Sequence, residues 1–185
     1  INGTEIPDFV NDGVANSPDD NPNWPTPLND FLRGAIDRDR VRPGDEVEYT
    51  VYFLSSGGQP ARNVEICDVI PANTNFVIDT FSSNSGIGLF NIATTPLPNP
   101  PLPTGLTNTV DDGDRGNFYP VFSQTPDVCK DPNNLTNPLT APNNTNGAVV
   151  VNVVGDLNGT NLPNAISPAD PANSYGFVRF KVRVE

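Results

Sequence analysis

The chain has 185 residues, a formal net charge of −12 and only two lysines, so it lacks the basic surface that displaces counterions from phosphate. That argues against nucleic acid and anionic membrane surfaces as partners, and for an acidic surface that repels itself. Hydrophobic residues (36%) suffice for a core, no histidine is present to serve as general base or zinc ligand, and no apolar run approaches the ~18 residues of a membrane span.

Residues 1–30 read as an extended, proline-rich arm. Prolines at positions 7, 18, 22, 25 and 27 forbid a regular helix there. Ile1, Ile6, Phe9, Val10 and Trp24 are the arm's apolar anchors and the candidate assembly contacts; the alternative is an arm folded back onto its own domain. A start at Ile1 and the absence of methionine fit a processed chain or a segment of a longer one. Residues 31–185 read as one β-sandwich domain, with Phe31 to Ile36 a short first strand.

The pattern then sharpens. From Glu46 to Phe53 the chain alternates strictly, with Val47, Tyr49, Val51 and Phe53 on one face and Glu46, Glu48, Thr50 and Tyr52 on the other. A period of two specifies a half-buried strand. Ser55 to Pro60 turns the chain. Asn63 to Ile70 is a second strand, with Val64, Ile66 and Ile70 on one face and Glu65, Cys67 and Val69 on the other. Beyond the turn at Pro71, Asn75 to Phe81 is expected as a third.

Residues 82–147 alternate poorly and contain runs such as Pro96 to Pro103 and Asn133 to Pro138. They are expected to form a long loop-rich insertion packed over the sandwich, with one short strand at Asn117 to Phe122. Regular pattern returns at Ala148 to Val154 and at Tyr175 to Val184, where Val178, Phe180, Val182 and Val184 face inward and Arg179, Lys181 and Arg183 face out. No segment shows a 3.6-residue period. Short alternating strands between Gly, Pro and Asn turns predict an all-β antiparallel sandwich.

Val41 to Phe53, with its Pro43-Gly44-Asp45 turn and Tyr49, followed by Ser56 to Ala72, resembles the bacterial and archaeal surface-repeat family known as domain of unknown function eleven. The family pattern is a Pro-Gly-Asp turn, a Tyr-centred strand, an Asn/Gly turn and a strand ending in Asp-x-x-Pro, here Asp68 to Pro71. Phe177 to Val184 resembles its last strand. Ser55 or Ser56 stands where the family has Asn, and the 82–147 segment exceeds the family's length there, which unsettles any carry-over of loop function. The resemblance implies an immunoglobulin-like sandwich in an exported surface or adhesin-like protein. Cys129 and the stretch Asn173 to Phe180 point to a cyanobacterial version.

Cys67 and Cys129 suggest a single disulfide formed in an oxidising compartment; the alternative is two separate buried thiols. Across 62 positions such a bridge contributes about 4 kcal/mol in the chain-entropy model and staples the insertion to the sheet. Calcium is the one cofactor the sequence suggests, with Asp111, Asp112 and Asp114 around Gly113 as first ligands; Asp19 and Asp20 in the arm and Asp156 to Gly159 are weaker clusters. The plain alternative is solvated turns. Catalysis finds little support, because Glu46, Glu48 and Glu65 occupy outward strand positions and no nucleophile has a histidine partner. A Lys–Asn isopeptide bond would need a lysine pointing into the core, and Lys130 and Lys181 are not so placed.

The first functional expectation is a non-enzymatic structural subunit or repeat of a secreted or cell-surface assembly, a filament or stalk, joined to itself or neighbouring surface domains by strand addition. The second is a carbohydrate- or ligand-binding adhesin module using Trp24, Tyr52, Tyr119 or Tyr175 as stacking platforms.

Overall fold

A computed structural model describes residues 40–55, 58–91, 102–154, 161–162 and 174–185. The 1–30 arm with Ile1, Ile6, Phe9, Val10 and Trp24, and the strand expected at 31–36, lie outside the described residues. Within them the chain is all-β. In order it forms β1 (Glu46–Leu54), β2 (Ala61–Arg62), β3 (Glu65–Val69), β4 (Thr74–Phe76), β5 (Ile87–Asn91), β6 (Thr104–Leu106) and β7 (Gly116–Tyr119). Then come β8 (Lys130–Asp131), β9 (Asn134–Pro138), β10 (Ala148–Asn152), β11 (Asn161–Leu162) and β12 (Tyr175–Val184).

Two antiparallel sheets form a sandwich. In the larger, β12 is central: β1 pairs with it along its whole length, from Glu46 opposite Arg183 to Leu54 opposite Tyr175. On its other side β12 pairs first with β5 and then with β4, and β6 adds beyond β5. The smaller sheet has the order β3-β10-β7. Two short pairs, β2 with β11 and β8 with β9, stand apart from these sheets.

The strand alternation explains the core. Val178, Phe180 and Val182 of β12, Ile87 and Leu89 of β5, and Val149 and Val151 of β10 are 0–2% exposed and pack together between the sheets. Val47, Tyr49, Val51 and Phe53 join from β1, and Val64, Ile66 and Ile70 from the β3 segment. Tyr49 stacks on Phe180 with ring centroids 5.5 Å apart, and Phe76 on Phe118 at 4.3 Å, so aromatic pairs bridge within and between the layers. The opposite face of the larger sheet carries its own buried cluster of Phe90, Tyr175 and Phe177, bordered by Tyr52 and Leu54.

The segment 82–147 is less of an insertion than its sequence suggests. Its first part supplies β5, β6 and β7 to the two sheets, while residues 120–147 contribute no strand to either. Alternation is hidden because Gly88 and Gly105 sit opposite each other on the outer face. A Cβ on Gly88 would come within 2.5 Å of the Phe81 ring, which covers both glycines. The third strand is also shorter than expected. It ends at Phe76 because Ile78 and Asp79 turn the chain, although Val77 N–H still donates to Lys181 C=O at 2.9 Å.

Residues 120–147 cap the outer face of the smaller sheet. Val128, Cys129 and Leu139 pack on Cys67, Val69, Tyr119, Ala148 and Val150. The Cys67–Cys129 disulfide is formed and fastens this cap to β3. Asn144, fully buried, holds the cap's own turn together: its Nδ2 donates to Pro120 C=O and Ser123 C=O, and its Oδ1 accepts from Gly147 N–H. Several turns elsewhere place asparagine at positive φ (Asn63, Asn73 and Asn84), a conformation its short polar side chain tolerates better than most residues do. The asparagine-rich composition is therefore partly a requirement of turn geometry.

Candidate functional site

Where the two sheets end on the same side, β1 of the larger faces β3 of the smaller across a lip. The inner-facing residues here are only half-buried: Val47, Tyr49, Val51 and Phe53 on one side, Val64 and Ile66 on the other. One strand further in, the equivalent positions Val178, Phe180, Val149 and Val151 are at most 1% exposed. The core is thus closed at its centre and open along this lip.

Hydrogen bonding marks the same place. Val153 N–H donates to Val64 C=O at 3.0 Å and Ile70 N–H to Gly147 C=O at 2.9 Å. The antiparallel ladder alternates, so Val64, Ile66, Asp68 and Ile70 bond to β10, while the main-chain groups of Glu65, Cys67 and Val69 point away from it. Among the described residues β10 is the sole strand neighbour of β3. The opposite edge of this sheet is treated differently. Phe118 N–H of β7 donates to Asn108 C=O at 3.1 Å and Gly116 N–H to Asp114 Oδ1 at 2.7 Å. Among the described residues one edge is capped and the other is not.

Asp68 lies inside this lip. It shares the inward phase of Ile66 and Ile70, and it faces Tyr49 across the gap between the sheets. Burial holds its carboxyl above the usual carboxylate range. Burial, and secondarily the Asp68 charge, raise the Tyr49 phenol as well. No hydrogen bond or ion pair reaches the Asp68 carboxylate among the described residues. The sequence carried a signal for this, because Asp68 falls at even spacing from Ile66 and Ile70, but an acidic residue in an apolar phase is easily passed over.

The other candidate residues are distributed differently. On the outer face of the larger sheet Glu46 pairs with Arg183 (2.6 Å) and Lys181 (3.9 Å), and Glu48 with Arg179 (3.3 Å), so the glutamates and cations expected to face out do so and neutralise each other. Asp111, Asp112 and Asp114 lie in one loop, but their neighbours are the loop's own groups. Asp114 Oδ2 accepts from Thr107 N–H at 2.6 Å, Asp112 Oδ2 from the Thr107 hydroxyl, and Asp111 N–H donates to Asn117 Oδ1. The Thr107 hydroxyl, then the Asp114 amide, lower the Asp112 carboxyl below its ordinary value. Among the described residues no group of three or more His, Cys, Asp or Glu side chains is gathered to hold a metal ion. The weaker Asp156 to Gly159 cluster lies outside the described residues.

Among the described residues the aromatics considered as sugar platforms form no exposed array. Tyr175 is 1% exposed, Tyr52 stands edge-on to Phe177, and Tyr119 packs against the disulfide-bearing cap; Trp24 is outside the described residues. No protein-family model matches the chain, and no curated protein or solved structure matches it either. No described helix is long and apolar enough to cross a membrane.

Proposed function

We propose that this chain is a non-enzymatic structural module of an extracellular cell-surface assembly, joined to further copies or to adjoining surface domains by strand addition. The observation that carries this reading is the open lip: an edge strand, β3, whose outward main-chain groups meet no described partner, beside core residues left half-buried. Completing a sheet from outside supplies main-chain hydrogen bonds and covers such apolar positions together. Three further features support the reading. The chain has no histidine, the commonest general base. Its two cysteines form a disulfide, the usual state in an oxidising compartment. And the Val41 to Pro71 block resembles a surface-repeat family.

Negative-stain microscopy of the full chain, alone and together with the adjoining surface fraction, tests this. Regular polymers or end-joined particles are expected. Dispersed monomers under every condition would contradict an assembly role.

A further inference from the structure

We propose that the edge of β3 selects an extended polypeptide segment that carries a lysine or arginine, and that this side chain enters the lip beside Asp68 and Tyr49. This rests on the strand-addition reading and adds the chemistry of the donor.

The donor must first satisfy the main chain. Glu65, Cys67 and Val69 present their N–H and C=O groups away from β10, which is the alternate set an added strand would pair with. The cap over the outer face, fastened at Cys67, leaves the donor's other face against residues 120–147. Its inner face must enter the lip.

The lip then dictates a pattern. Alternate residues of an added strand face inward, and directly opposed side chains on one face have Cβ atoms roughly 4.5–5.5 Å apart. The inward set of β3 is apolar at Ile66, acidic at Asp68 and apolar at Ile70. A matching donor therefore reads apolar, any residue, Lys or Arg, any residue, apolar. The cation meets a carboxylate that has no described donor and that has already lost part of its hydration.

Asp68 also works against the wrong occupant. An inward charge on an edge strand obstructs pairing with an uncharged or acidic strand, because the carboxylate would be buried without compensation. A chain of net charge −12 adds a general preference for cationic segments. One side chain thus rejects most edge-to-edge contacts and admits one kind.

The test uses the full, isotope-labelled chain and three capped peptides that alternate threonine with inward residues valine-lysine-valine, valine-glutamate-valine or valine-leucine-valine. Amide hydrogen exchange and chemical shifts at Glu65, Cys67 and Val69 report binding. The lysine peptide should protect these amides and bind at least about tenfold tighter than the glutamate peptide. Asp68→Asn, which keeps shape and fold, should weaken the lysine peptide about tenfold and bring it level with the leucine peptide. Protection of β3 by all three peptides alike would overturn the cation requirement while leaving strand addition standing. No protection of β3 by any of them would overturn both.

Discussion

Asp68 sits among Ile66, Ile70 and Tyr49 with no described hydrogen-bond partner, and that position has a cost that depends on pH. Desolvation raises its carboxyl pKa in the folded chain. The native state therefore holds this proton more tightly than the unfolded state. Stability from this group is fullest below the ordinary carboxylate range, falls as pH rises between the unfolded and folded values, and stays reduced above them. Asp68→Asn should melt above the wild type at pH 7 and close to it at pH 3; an equal difference at both would contradict this. Phe122 is a second residue at odds with its surroundings, 67% exposed at φ 61°. Left-handed backbone costs an L-residue roughly 1–2 kcal/mol, so Phe122→Gly should raise stability by about 0.5–1 kcal/mol in urea titration. Asp68's inward phase was readable from its spacing. Phe122's was not, because its φ is set by a distant bond, its N–H donating to Asn144 C=O at 2.7 Å.

At the scale of elements, legibility followed side-chain contrast. β1 and β12 keep an inward apolar phase, with charges opposite it at Glu46, Glu48, Arg179, Lys181 and Arg183, and sequence alone bounds both to within one residue. The sequence hides β5 and β6 because glycines stand at the paired outer positions 88 and 105, where Phe81 supplies the covering ring instead. A strand whose outer face is built by a residue from elsewhere has no period of its own to read. The disulfide was legible from cysteine number and compartment logic, and Cys67's phase placed it on the outer face of β3, where the cap lies. Its removal should be expensive. Replacing both cysteines by serine should cost about 4 kcal/mol in the chain-entropy model, seen as a lowered melting temperature. Limited proteolysis of that variant should cut first within 120–147, since the hairpin of β8 and β9 is exposed and Leu139 and Asn144 would be left to hold the cap. First cleavage within a sheet would show that the cap does not depend on the bridge.

For the whole molecule, the sandwich, its antiparallel order and its acidic surface were within reach of the sequence, since two phases of apolar residues demand two facing layers. The pairing partners were not, because nothing local says that β12 sits between β1 and β5 or that β3 has one strand neighbour among the described residues. Neither was the lip, which arises only once both sheets stop on the same side. The candidate site therefore belongs to the assembled fold, although the residues lining it, Tyr49 and Asp68, both lie in the Val41 to Pro71 block that first marked the chain. Residue-resolved amide exchange on the isolated monomer reads the openness of that lip. Glu65, Cys67 and Val69 should exchange many-fold faster than Ile66 and Asp68, whose N–H groups bond to β10. Equal, strong protection across all five amides would mean that the β3 edge is already paired in the monomer and the lip closed.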